Sequence, residues 1–343
     1  MLVKVFMNSA GHNSEREVLR QMYDGIDYAD KTANGKLSKE ERKERKNLEK
    51  EMGIKRGLQY EYDEEYRPCD VAVFLGSWKP ERTRTWHLTR TSIKKNSKCF
   101  VVIETPLLGR QMFEKNTHYR VGVNGFLNRD AFWGDNVNRP GDRFNELGLI
   151  YKGWKTKEEL GDKIIIALQL AGDASLRNLN INEWCVDTVK TLREYTDRPI
   201  EIRTHPGVSE KGMGNHEDLF KEFAFANFSN VTFVNGRDIP WEEHLKDAYC
   251  VVAYSSGLSI DAVLNGYPVI ACDEGNFAWN VAETKLKNIE NLNLANNEEV
   301  LQWLHNLAYC QWTPEEMENG VCWRHLLPSV EKVLAEVKAN ESN

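Results

Sequence analysis

The sequence predicts an α/β protein of two Rossmann-like domains, each built on a parallel sheet. Three observations predict it. Short apolar runs of β type alternate with amphipathic helical stretches, an order that implies parallel strands joined by helical crossovers. A chain of 343 residues is too long for one small domain and suits two of ordinary size. In the last third, two strand-loop-helix units, around Arg203 and around Ser255, are spaced as neighbours in one such sheet.

Composition narrows the function classes. Hydrophobic residues make up 41% and charged residues 28%, and no apolar run is long enough to cross a bilayer. The opening MLVKVFMNSAG has no long apolar core and no cleavage site, so the expected location is the cytoplasm, the host's if the chain is viral. Seven cysteines form no C-x-x-C pair, and Cys99, Cys250 and Cys272 lie inside apolar runs, which suits buried reduced thiols. A net charge of −7 argues against a protein that simply coats nucleic acid, yet permits a local basic groove.

In chain order, Leu2 to Met7 is an apolar strand that runs into Asn8-Ser9-Ala10-Gly11-His12, and a helix starts near Ser14 with Glu15 and Glu17 in its first turn. No G-x-G-x-x-G follows the strand, which counts against a dinucleotide cofactor. Asp30 to Glu41 matches the calcium-loop template, with Asp30, Thr32, Asn34 and Ser38 as oxygen donors, Gly35 at the turn and Glu41 at the twelfth position. Thr32 replaces a carboxylate and no second loop is present, so a polar insertion without metal is the expected reading. Asp70 to Gly76 is a buried strand. The segment after it interleaves Lys79, Arg82, Arg84 and Arg90 with Trp78, Trp86 and His87, the chemistry of a polyanion groove with stacking surfaces, or of a solvated amphipathic helix. Cys99 to Arg110 begins as a strand with Glu104 at its carboxyl end, where α/β active sites concentrate.

From Tyr119 to Phe144 the chain is rich in Gly, Asn and Asp, too irregular for a core element and suited to substrate loops. Leu147 to Gly161 reads as the interdomain connection, with domains expected at 1–155 and 156–325 and a final helix and tail at 326–343. Lys163 to Leu170 is the first strand of the second domain, and Gln169, Asp173 and Ser175 fall on its exit. A helix from Asn182 to Tyr195, a helix from Leu219 to Phe225, a strand from Val231 to Val234 and a short helix from Trp241 follow. Ile200 to Ile202 opens onto Arg203-Thr204-His205-Pro206, a cation and an imidazole at a strand end. Tyr249 to Ala253 opens onto Ser255-Ser256-Gly257, and a helix then runs to Gly266. Hydroxyls and unpaired backbone N–H groups at a helix start, beside Arg203 and His205, suit a phosphate or diphosphate; a simple capping role for Ser256 is the alternative.

RTHP followed by YSSGLSIDAVLNGYPVIACDEG resembles the carboxyl-terminal half of GT-B glycosyltransferases, especially the capsule-polysaccharide and Kdo-transferase type, and QLAGDASL at Gln169 to Leu176 resembles the loop that opens the same domain. Thr204 stands where that pattern has proline, and Asp261 where it often has glutamate. The resemblance implies two Rossmann-like domains facing across a cleft. It also implies a UDP- or CMP-type sugar donor, held by Arg203, His205, Ser255, Ser256, Gly257, Gln169 and Asp173, with Asp273 or Glu274 on ribose or sugar hydroxyls. No prosthetic group or metal is expected. Glu104 is the expected base, its pKa raised by burial, with Asp130, Asp135 and the loop residue His12 as alternatives. The block from Leu304 to Leu326 resembles proteins of tailed phages, which makes a hydroxymethylated base of duplex DNA one acceptor, met by Trp78, Arg82, Arg84, Arg90 and Arg110. A saccharide acceptor, a sugar-nucleotide epimerase and a non-catalytic nucleotide- or DNA-binding protein are the other readings.

Overall fold

A computed structural model describes residues 1–35, 57–79, 82–110, 116–207 and 228–341, side chains of 30–35 excepted. The chain begins with β1 (Leu2–Phe6), α1 (Asn13–Gly35), β2 (Gly57–Glu61), β3 (Val71–Leu75), α2 (Thr85–Asn96), β4 (Phe100–Glu104) and β5 (Tyr119–Val123). A short α3 (Asp142–Glu146) precedes β6 (Lys163–Ala167), α4 (Ile181–Arg193), β7 (Ile200–Arg203), β8 (Val231–Val234), α5 (Trp241–His244) and β9 (Ala248–Ala253). The chain continues with α6 (Leu258–Leu264), β10 (Val269–Ala271), α7 (Asn297–Ala308), β11 (Gln311–Trp312), α8 (Pro314–Glu318) and α9 (Val321–Glu341). The helix expected at Leu219 to Phe225 lies outside the described residues.

Two compact Rossmann-like units form. The first comprises residues 1–126, 130–139 and 306–343, and the second comprises Leu127–Arg129 and Pro140–His305. The boundaries expected near 155 and 325 therefore move. Residues 147–161 belong to the second unit because their backbone is hydrogen-bonded to it: Lys152 and Lys155 donate to the carbonyls of Leu264 and Gly266. Residues 306–325 join the first unit because Trp312, Met317, Cys322 and Trp323 are buried in its core.

The first unit's sheet has the order β11-β5-β4-β3-β1-β2. Strands β1 to β4 are parallel, β5 runs antiparallel to β4, and β11 antiparallel to β5. Strand β3 is buried at every position, as expected for a parallel strand covered on both faces. One layer of the core sets Val3, Val5, Val73 and Ile103 of the sheet with Leu19, Met22 and Ile26 of α1 and with Trp323, Leu326 and Val330 of α9. Tyr119 to Val123, expected as an irregular loop, is thus a core strand; its register places Val121 and Val123 opposite Ile103 and Val101. Strand β2 gave no clear signal, because its side chains are polar or half-exposed at the sheet edge.

The second unit's sheet, β10-β9-β6-β7-β8, is parallel throughout. The chain builds outward from β6 through β7 to β8, then returns to the other side of β6 for β9 and β10. That reversal creates a switch point between the carboxyl ends of β6 and β9, where helices no longer cover the strand ends and α/β proteins bind ligands. All seven cysteines are free thiols, and no described helix is long and apolar enough to cross a membrane.

Candidate donor site at the second switch point

Gln169 follows β6 and is buried, so its amide must find partners. It finds them on both sides of the switch point. Nε2 donates to the hydroxyls of Ser175 and Ser255 (3.0 Å to the latter), and Oε1 accepts the Ser255 backbone N–H at 3.1 Å. The exits of β6 and β9 are thereby stitched together. Asp173 caps the short turn that carries Ser175, accepting its N–H at 3.0 Å. Ser256, half-buried, accepts the N–H of Leu258 at 3.3 Å, and Gly257, exposed, begins α6. That helix has only seven residues, so the dipole argument for Ser256 carries little weight.

The exit of β7 lies on the same edge. Gln169 stands between His205 and Ser255 in strand order, so the two turns are roughly 10 Å apart at two strand spacings. His205 is half-buried, and its Nδ1 accepts the Gly207 N–H at 2.9 Å, which leaves the ring proton on Nε2. Arg203, expected to reach a phosphate, does something else. Its guanidinium is buried and donates to the carbonyls of Gly236 (2.9 Å) and Ile239 (2.8 Å), with His244 Nδ1 at 3.1 Å. Since a guanidinium can only donate, His244 Nδ1 accepts, and its Nε2 donates to Glu201 at 2.7 Å. Burial, opposed by Glu201 and reinforced by Arg203, holds His244 below the usual histidine range. Arg203 thus fixes the loop after β8.

The third component comes from β10. Asp273 accepts the Gly275 N–H at 2.8 Å and is ion-paired with Arg129, whose place here no sequence motif marks. Arg129 Nη2 also approaches the Ser175 carbonyl at 3.4 Å. Glu274 is exposed, and its carbonyl accepts from Asn128 at 3.1 Å. Asn276, almost fully buried, donates to the carbonyl of Tyr254 and the hydroxyl of Ser259, which ties the β9 and β10 exits together.

No protein-family model matches the chain, and no curated protein does. Among solved structures, the chain is similar to the β-Kdo 2,7 transferase of Thermosulfurimonas dismutans KpsC, with 13% identity over 94% of this chain and 100% of that one and a TM-score of 0.48. It is also similar to the β-Kdo 2,4 transferase of the same protein, with 11% identity over 73% of this chain and 91% of that one and a TM-score of 0.41.

The first unit has its own switch point, between β1 and β3. Ser9, buried after β1, donates its hydroxyl proton to the Phe6 carbonyl and accepts the Leu75 N–H at 3.0 Å. Arg90, expected on a basic surface, is instead buried here: Nε donates to the Ser9 carbonyl at 2.8 Å and Nη1 to that of Ser77 at 3.4 Å. Gly76 has φ +86, and a side chain there would run into the Arg90 guanidinium.

Glu104 departs from the raised pKa expected of it. One carboxylate oxygen accepts the Ser77 N–H (2.5 Å), and the other accepts the Thr105 N–H (3.1 Å) and faces Arg120 at 3.9 Å. Burial pushes this carboxyl up, but Arg120, Arg90 and the two backbone donors outweigh it and hold it below the usual carboxylate range. Burial alone would give the opposite sign.

Of the remaining residues, His12 is exposed, with its ring 6.4 Å from that of Trp86. Glu15 accepts the Gly11 N–H at 2.6 Å, and Arg84 stacks its guanidinium over Trp86 at 5.1 Å. His87 is held down to about 4 by burial and by the charge of Arg90 and its basic neighbours. Trp78, half-buried, packs edge-on against Phe126 and Phe100, with the Lys94 ammonium 5.0 Å from its ring centroid. Arg82 is half-buried, Arg110 is exposed, and Asp135, also exposed, pairs with Arg139 at 3.2 Å. Asp130 is half-buried beside Gly125. Asp30, Thr32 and Asn34 lie on α1, whose helical backbone occupies the half-loop that a calcium motif needs, and Glu41 lies outside the described residues.

Proposed function

We propose that the chain is a GT-B glycosyltransferase that binds a nucleotide-activated sugar at the β6, β9 and β10 exits and passes the sugar to an acceptor hydroxyl. One observation carries the reading. The blocks that resemble the glycosyltransferase donor site, far apart in sequence, are joined by the Gln169 amide at the switch point of a wholly parallel sheet. His205 Nε2–H, the hydroxyls of Ser255 and Ser256 and the backbone at Gly257 supply donors for the phosphate, Asp173 supports the Ser175 turn, and Glu274 reaches ribose or sugar hydroxyls.

In the reaction the acceptor oxygen bonds to the anomeric carbon as the bond to the donor phosphate breaks. The nucleotide leaves as an anion, and the acceptor proton passes to a base. Donors aimed at the leaving phosphate supply most of the acceleration in such a site. The reading asks for no metal, because charged and N–H donors offset that charge. With Glu104 held in its ion pair, His12 is the base we assign, and Asp130 is the carboxylate alternative. Arg82, Arg84 and Trp86 form the surface for an acceptor; a hydroxymethylated base in duplex DNA suits their charge and stacking, and a saccharide is the other acceptor class.

The test is a thermal-stability screen of UDP-, CMP- and other nucleotide-activated sugars. The sugar that stabilises most is then offered with hydroxymethylated duplex DNA and with oligosaccharides. At a hundredfold excess over Kd, a bound donor adds about 2.7 kcal/mol of stability, a rise of several degrees in Tm. Sugar transfer to one acceptor class is the expected result. Consumption of the donor without an acceptor points to an epimerase, and stabilisation without consumption points to a binding protein. No stabilisation by any donor refutes the reading.

A further inference from the structure

Leu127–Arg129 belongs to the second unit, although residues on both sides of it belong to the first. Asn128 fastens the segment: its N–H reaches the Gly275 carbonyl at 3.3 Å and its side-chain amide the Glu274 carbonyl at 3.1 Å. Arg129 then projects into the strand exits. Its side chain is 7% exposed, pairs with the carboxylate of Asp273 (17% exposed), and reaches the carbonyl of Ser175, the residue whose hydroxyl receives the Gln169 amide. Gly275 lies directly beneath, and any side chain at that position would occupy the guanidinium's place. The backbone is therefore built around this arginine.

A guanidinium withdrawn from water needs an anion, and a nearby carboxylate meets that need only in part. A phosphate presents two oxygens to the planar fork of N–H donors as a carboxylate does, and a diphosphate or a released nucleotide adds a further negative charge. We propose that Arg129 recognises the donor's phosphate and that Asp273 is its counter-ion until the donor displaces it. The proposal rests on the nucleotide-sugar reading and replaces Arg203, which is committed elsewhere, with a cation brought in from a distant loop. It also gives Asp273 a role other than the hydroxyl contact expected from sequence. As an internal competitor for Arg129, Asp273 lowers donor affinity and eases release of the nucleotide product.

The two residues therefore have opposite expected effects. Isothermal titration of the full chain with UDP and with CMP measures them, circular dichroism having established that each variant is folded. Arg129→Ala is expected to weaken the nucleotide that wild type binds by about 10- to 100-fold, the size of one or two charge-assisted hydrogen bonds. Arg129→Lys, which keeps the charge and loses the fork, should fall between, and it carries the test should the alanine variant not fold. Asp273→Asn retains an oxygen for the Gly275 N–H and removes the competing charge, so binding should tighten at least threefold. A purely structural ion pair would instead lower the stability of all three variants and leave the affinity of the folded protein unchanged. Binding by Arg129→Ala or Arg129→Lys within twofold of wild type, or no tightening in Asp273→Asn, overturns the assignment while leaving the donor reading intact. A wild-type chain that binds neither nucleotide overturns the assignment and points back to the donor reading itself.

Discussion

Glu104 is where charge decides against position. Its place at a strand end suits a base, yet two backbone N–H groups occupy its carboxylate, Arg120 faces it and the charge of Arg90 acts on it. Glu104→Gln should therefore cost stability, about 3 kcal/mol for a buried charge pair broken on one side, and leave turnover per folded molecule unchanged. Loss of a catalytic base would instead lower turnover at least a hundredfold with little change in Tm. The pH dependence has a definite sign. The folded pKa lies below its ordinary 4.5, so the stabilisation is complete above that pH and is lost as the pH falls through the lowered value. The gap in Tm between wild type and Glu104→Gln should thus close in acid; a gap that stays constant to pH 3 contradicts this account. The sequence places Glu104, Gln169 and Ser255 at strand ends, because apolar runs end there. It could not tell which way Arg203 and Arg90 turn, since their partners, Gly236 and Ser9, lie far along the chain. Arg129 carried no signal for the same reason: Asp273 is distant in sequence.

Individual elements show what apolar periodicity reveals and what it hides. The buried parallel strands β3, β4, β6 and β9 are legible as unbroken apolar runs, whereas β5 reads as a loop because Gly122 interrupts it and Asn124 and Gly125 follow. Glycine in α1 is a further case. Gly25 sits mid-helix, where alanine ordinarily gains about 1 kcal/mol of helix propensity. Here, however, an added methyl would overlap the Met317 carbonyl at the end of α8. Backbone cannot rotate aside as a side chain does, and overpacking of this kind costs about 1–3 kcal/mol or more. Gly25→Ala should therefore lower the denaturant midpoint, a net loss of about 1–2 kcal/mol; a raised midpoint would mean that α1 and α8 do not pack this closely.

Across the molecule, the alternation of strand and helix was enough to give two Rossmann-like units, but not their boundaries. The chain leaves the first unit after residue 126, returns for 130–139, and comes back again from 306 onward. No composition shift marks those passages, because each is set by which core receives a side chain such as Trp312 or Trp323. Each unit has a switch point at which polar side chains gather, and the account assigns the donor to the second. Hydrogen–deuterium exchange of the full chain, with and without the nucleotide sugar that stabilises it most, tests that assignment most directly. Protection should concentrate in peptides covering 169–176, 255–257 and 273–275, together with the separate stretch 127–129. Protection confined to 9–15 and 82–90, or absent from the β6, β9 and β10 exits, would contradict it.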